Sequence, residues 1–258
     1  MNARHKSWPL VKICGIRSVE EAFLALENGA NSVGLLVGLT HKSEDEISVA
    51  TAAAIRDAVA EERPDARVVL VTHRLLAAEI NALVRAVRPD AIQIHDAASP
   101  AETAALRAIV GPETELFKAI HVIGEGEAAA RDAVAVAAPY AASVDAFITD
   151  SVRTDADGAV RIGGTGTRHA EGAVAALRNA FPAHRIILAG GLRPENVREA
   201  IAIEAPDGID VNSGVEKPDG SKSPERVAAF CSAGRAIAAA KRNPPTEGRR
   251  VAARTRTA

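Results

Sequence analysis

Aromatic side chains are scarce in this sequence: they make up 3% of its 258 residues, with one Trp, one Tyr and five Phe. A core with so few large rings has to be filled by aliphatic side chains, Val and Ile in strands, Ala and Leu in helices. Cysteine is scarcer still. Cys14 and Cys231 stand at opposite ends of the chain, which excludes a disulfide framework and the paired thiolates of a structural zinc site. Neither sign of charge dominates: 31 basic residues face 33 acidic ones, for a net charge of −2. Composition therefore gives no reason to expect nucleic acid or an anionic membrane as a partner. No apolar run approaches the ~20 residues of a membrane span, and no stretch has a signal peptide's charged start and apolar middle. A soluble, cytoplasmic protein is expected. The seven histidines show no pair one helical turn apart, so no metal is expected, and a lone histidine at a strand end reads as a hydrogen-bonding or core residue.

What is present is rhythm. Eight short runs rich in β-formers alternate with helical stretches: "PLVKIC" (9–14), "NSVGLLV" (31–37), "RVVLVT" (67–72), "DAIQIH" (90–95), "ELFKAIHV" (115–122), "VDAFIT" (144–149), "RIILAG" (185–190) and "GIDVNS" (208–213). Alternation of this kind predicts parallel strands joined by crossover helices. In "SVEEAFLALENG", Ser18 is placed to cap a helix, Glu20 and Glu21 to lie in its first turn, and Gly29 to end it. Eight strand–helix units fit a single-domain (β/α)8 TIM barrel, whereas an open doubly wound sheet would more often carry a glycine fingerprint after its first strand. "KICGIRS" has one glycine. The expected layout is an N-terminal extension over 1–8, the barrel over 9–240, and a disordered basic tail over 241–258, where a Pro pair and several Arg replace any hydrophobic period. The long stretch "DSVRTDADGAVRIGGTGTRHAEG" (150–172) reads as an irregular, functional loop.

A barrel of this type carries its active site at the C-terminal ends of the strands. Cys14, His95, Asp150 and Asp210 fall there. A thiol and a carboxyl group facing one pocket form an acid–base pair able to move protons on two sides of a bound sugar. Glycines in "GGTG" (163–166), "GGL" (190–192) and "NSGVE" (212–216) suit a phosphate, because glycine lets backbone N–H groups approach an anion and barrels place such sites after the last strands. Gly164, Gly166, Gly190, Gly191, Ser213 and Gly214 are the candidate cradle. Cys231, after Phe230 in a helical stretch, reads as buried filler.

At these motifs the sequence resembles the phosphoribosylanthranilate isomerase family of tryptophan biosynthesis. "KICGIRS", "GANSVGLL", "DAIQIH", "FITDS", "GGTG", "ILAGGLRPENV" and "GIDVNSGVE" carry the likeness, in order, from about residue 10 to 235. The resemblance implies an Amadori rearrangement of a phosphoribosyl-amine to a 1-amino-1-deoxyketose phosphate, without a cofactor. It assigns Cys14 as general base, Asp150 as general acid and Asp210 as the carboxylate that holds ribose hydroxyls. His95 joins the substrate contacts, and the glycine loops hold the phosphate. A phosphorylated small molecule is then the expected ligand, and a monomer or homodimer the expected state.

The segment "HKSEDEIS" (41–48) departs from the family pattern. Members usually read Lys-Ser-Pro-Arg here, with the arginine reaching the anthranilate carboxylate. Lys42 and Ser43 match, but Glu44 and Asp45 replace the proline and arginine. An aspartate repels the carboxylate that a bidentate guanidinium would hold. Lys42 and Asp45 are therefore the selectivity candidates, with Arg17 or Arg153 as other sources of a cation. An acidic helix N-terminus is the plainer explanation of the segment. The alternatives are a related isomerase acting on a different phosphorylated amino-sugar, and a non-catalytic barrel that binds a phosphorylated ligand.

Overall fold

The computed structural model describes residues 9–124, 126–154, 160–162 and 172–242. The N-terminal extension, Gly164 and Gly166, and the basic tail from 243 onward lie outside them.

All eight expected strands form, and they close into one ring. They are β1 (Leu10–Ile13), β2 (Ser32–Leu36), β3 (Arg67–Thr72), β4 (Ala91–Ile94), β5 (Glu115–Ile123), β6 (Ala146–Thr154), β8 (Arg185–Leu188) and β9 (Gly208–Val211). Parallel pairing runs from β5 through β4, β3, β2, β1, β9 and β8 to β6, and β5 pairs with β6 to complete the circle. Eight helices pack outside: α1 (Val19–Glu27), α2 (Val49–Glu62), α3 (Ala77–Val87), α4 (Pro100–Val110), α5 (Gly126–Ala137), α6 (Ala173–Ala180), α7 (Val197–Glu204) and α8 (Pro224–Arg242). The chain is a (β/α)8 barrel. Its last helix is described over Pro224–Arg242.

Two apolar compartments follow from the strand period of two. One lies between strands and helices and is almost wholly aliphatic, with Val33, Leu35, Val68, Leu70, Ile92 and Ile94 facing α1 to α4 from alternate strand positions. The other fills the barrel interior, where Leu10, Val69, Ala91, Phe117, Ile148 and Ile187 meet. Phe117, fully buried, supplies bulk that small interior neighbours such as Ala91 and Ala146 leave free. The scarcity of aromatics is thus met by placing one large ring at the centre.

Three local expectations stand corrected or refined. The 150–172 stretch is not wholly irregular: β6 continues to Thr154 and pairs antiparallel with β7 (Val160–Ile162), Val152 opposite Ile162. The acids of "HKSEDEIS" do not occupy a first helical turn, because α2 begins only at Val49, with Ser48 as its cap accepting from the Thr51 N–H. They instead tie down the loop before it: Glu46 Oε1 accepts from the Leu39 N–H at 2.9 Å. At α1 the cap is as expected, with Ser18 accepting from the Glu21 N–H, although Asn28 rather than Gly29 is the C-terminal cap, with Gly29 following at φ 103°.

Cys231 is buried in α8 beneath Gly29, and burial pushes its thiol up to about 12. The unfolded chain releases that proton near its ordinary value while the folded chain keeps it, so stability falls as pH rises above about 9, by about 1.4 kcal/mol per pH unit from this group. Urea unfolding of the wild type and Cys231→Ala at pH 8 and pH 10.5 should show the two stabilities converging at high pH; parallel pH curves would contradict it.

Candidate active site

Strand β1 places Lys12 and Cys14 two residues apart, both facing into the barrel. Lys12 is fully buried, and its Nζ donates to Asp210 Oδ2 on the neighbouring β9 at 2.8 Å. Burial works against the charge on Lys12, but the Asp210 carboxylate and then Cys14 outweigh it and hold the ammonium pKa up. For Cys14 the balance runs the other way: burial pushes the thiol up, and the Lys12 ammonium pulls it back toward the thiolate. Asp210 keeps its second oxygen, Oδ1, buried without a hydrogen-bond partner, an acceptor left over for a ligand donor. This room exists because Gly34 lies across from the pair: a Cβ there would stand 2.7 Å from Cys14 Sγ and 2.8 Å from Lys12 Cε.

A cavity of about 230 Å³ opens at the C-terminal end of the barrel. Cys14, Asp150 and Asp210 line it together with His95, three of them nearly buried and His95 only partly exposed. Gly190, Gly191, Ser213 and Gly214 form another part of its wall. Gly190 and Gly191, in the β8–α7 loop, adopt φ of 82° and 65°, a conformation that glycine takes without strain. A Cβ on Gly214 would fall 1.9 Å from the Leu192 carbonyl oxygen, so the two loops after β8 and β9 touch through backbone.

Histidines gather at the mouth. His41, His73, His95 and His121 make a chain of ring contacts with centroids 5.0, 4.9 and 5.0 Å apart, His73 stacked on His95 and His121 edge-on to it. Burial, followed by His121 and His73, pushes the His95 imidazole down to about 2, and burial also lowers His73 and His121. These rings are neutral at pH 7. His95 does not stand alone: the pairing of β3, β4 and β5 sets His73, His95 and His121 side by side, which sequence spacing cannot display.

Asp45 lines the cavity, and its Oδ2 accepts from Asn212 Nδ2 at 2.8 Å. Asn212 Oδ1 in turn accepts from the buried Lys222 Nζ at 2.6 Å, which also donates to Glu216 Oε1 at 2.6 Å. The β2–α2 loop is thereby moored to the end of β9. Lys42 is exposed and is not part of the cavity wall. Arg17 gives its guanidinium to Glu21 and the Gly220 carbonyl; the Arg153 side chain lies outside the described residues. Among the described residues the wall holds three carboxylates and no Lys or Arg.

Residues 11–233 match the family model described as N-(5'-phosphoribosyl)anthranilate isomerase. The chain belongs to that family. N-(5'-phosphoribosyl)anthranilate isomerase 2 of Methanosarcina mazei is 35% identical over 85% of this chain and 91% of its own. The phosphoribosyl anthranilate isomerase structure from Thermotoga maritima superimposes with a TM-score of 0.70 at 27% identity, covering 88% of this chain and 98% of that one. Another isomerase structure, solved with reduced 1-(o-carboxyphenylamino)-1-deoxyribulose 5-phosphate, matches with a TM-score of 0.68 at 25% identity over 88% of this chain and 98% of that chain. Membership makes this chain an isomerase of the aldose–ketose type, in a family of tryptophan biosynthesis. Among the described residues no helix is long and apolar enough to cross a membrane.

Reading the sequence missed Lys12, Gly34, Asn212 and Lys222. Lys12 had a signal: a charge inside an apolar strand needs a buried partner, and its spacing of two from Cys14 sets both on one face. Gly34→Ala tests the packing. It is expected to stay folded, to lose about 1–3 kcal/mol in urea unfolding through overpacking, and to lower kcat roughly a hundredfold by displacing the thiol.

Proposed function

We propose that this protein isomerises N-(5'-phosphoribosyl)anthranilate to the corresponding 1-(o-carboxyphenylamino)-1-deoxyribulose 5-phosphate by acid–base catalysis. The observation that carries the reading is that Cys14 and Asp150, delivered by β1 and β6, line one cavity. Asp150 protonates the furanose ring oxygen, the C1'–O bond breaks, and the amine nitrogen lone pair forms the iminium. Cys14, as thiolate, then takes the proton from C2', and the electron pair neutralises the iminium to give an enolamine. Tautomerisation of that enol to the C2' ketone completes the rearrangement, with no net change in redox state or proton count.

Each remaining contact supports one part of that sequence. Asp210, with Oδ1 unpartnered, accepts from a ribose hydroxyl. The glycine loops after β8 and β9 take the phosphate, with Ser213 beside them, as the site preferred in this fold. Lys12 favours the thiolate that the base step needs. The protein works on a phosphorylated small molecule, in the cytoplasm, as a monomer or homodimer.

A direct assay with anthranilate phosphoribosylated in situ tests the activity, and absence of turnover by folded protein would sink it. Cys14→Ser and Asp150→Asn should each lower kcat far more than they change KM, because both groups act in bond-making steps. The rate should rise with pH as the raised Cys14 thiol ionises. Lys12→Met removes the neighbouring cation, so that rise should move to higher pH; an unmoved profile would show that Lys12 does not act on the thiol.

A second reading has an observation of its own. The described cavity wall presents Asp45 and no Lys or Arg, which suits an aglycone without a carboxylate. Comparing kcat/KM for phosphoribosyl-anthranilate and its carboxylate-free aniline counterpart separates the two. Preference for the aniline compound, reduced by Asp45→Asn, favours this second reading; preference for anthranilate removes it.

A further inference from the structure

We propose that His95, His121 and Asp150 form a site for one zinc-type divalent ion on the cavity rim, and that the ion and the sugar phosphate exclude one another. Adjacent strands β4, β5 and β6 each deliver one of the three, and one donor atom from each lies within 4.8 Å of the others. Two imidazoles and a carboxylate, with positions left open, are a donor set that zinc takes readily. His95 Nε2 and Asp150 Oδ2 are 3.9 Å apart. Donors on a tetrahedral zinc with bonds of about 2.0–2.1 Å stand roughly 3.3–3.4 Å apart, so the three side chains draw together when they take one ion.

The hydrogen bonds around the rings point to the same ligand. His121 Nε2 lies 2.8 Å from the His95 carbonyl oxygen, which accepts only, so the proton of the neutral ring sits on Nε2. Its lone pair is then on Nδ1, and Nδ1 is buried without a partner. His95 Nδ1 lies 3.3 Å from the side-chain amide of Gln93, a nearly buried residue whose Oε1 also has no partner. Turning that amide over lets Oε1 accept from Nδ1–H, which leaves the His95 Nε2 lone pair facing Asp150. This is the outer-shell arrangement that fixes metal-bound imidazoles. Two stranded acceptors thus find a use when an ion is present. The ion would also occupy the carboxylate that the isomerase reading assigns to the ring oxygen, and that part of the proposal rests on that reading.

Calorimetric titration of the chelator-dialysed full chain with Zn2+, and absorption spectra with Co2+ as a probe, test the site. One ion per chain is expected, with ligand-field bands and no thiolate charge-transfer band. His121→Ala should weaken binding by roughly tenfold or more. In the wild type Zn2+ should raise the apparent KM with kcat held, and His121→Ala should blunt that inhibition. No saturable binding, binding untouched in both His121→Ala and His95→Gln, or a thiolate band placing the ion on Cys14 would overturn the site. A fall in kcat at constant KM would overturn mutual exclusion. The binding measurements need no substrate, so they fail or hold separately from the assigned reaction.

Discussion

The ion pair between Lys12 and Asp210 governs the barrel's working end. Both groups are buried inside the ring of strands, where an unpaired charge costs several kcal/mol. Each therefore requires the other, and β1 and β9 are held in the register that sets Lys12 opposite Asp210. Cys14 inherits its environment from that pair. A buried thiol resists ionisation, and the cation two residues before it on the same face reduces that resistance. Gly34 completes the arrangement by having no side chain where Sγ and the lysine stem lie. The thiol, the cation beside it, the carboxylate that fixes the cation and the empty space between them are one packing solution.

The loop after β2 shows how one residue can change meaning. From sequence, Asp45 stands where the family carries an arginine, and repulsion of a carboxylate follows. In the structure it also has a mechanical role. Lys222 fixes Asn212, Asn212 fixes Asp45, and the loop is held against the end of β9. The close fit of Gly15 against the Asn212 side chain adds the β1–α1 turn to the same assembly. The acidic run is thus neither a helix-dipole device nor a free surface feature. Glu46 and Asp45 are spent on the Leu39 N–H and on Asn212, with α2 starting afterwards at Val49.

Much of the fold was legible because its signals are local. Each strand announces itself by a short run of Val, Ile and Leu between turn residues, and eight such runs separated by helical segments admit few arrangements other than a barrel. The antiparallel pairing of β6 with β7 has a local signal too: "SVRT" and "AVRI" each alternate β-formers with polar residues. Cys14, Asp150 and Asp210 are legible as candidates because this architecture collects chemistry at strand ends, and the structure sets all three on one cavity. Lys42 matches a family motif, but it is exposed to solvent, a property that a motif match does not contain.

The sequence by itself determined the elements, their order, the barrel, and which strand ends carry the thiol and the carboxylates, because the strand period and the turn residues act over a few positions. Tertiary structure alone decided the partners. His95 and His121 are 26 residues apart along the chain, yet His121 donates to the His95 backbone carbonyl; Asp45 and Asn212 are 167 apart and share a hydrogen bond. Closing the ring brings strand ends together that no local pattern relates. The direction of each side chain there is set by which neighbours exclude water, and that is a property of the whole packing.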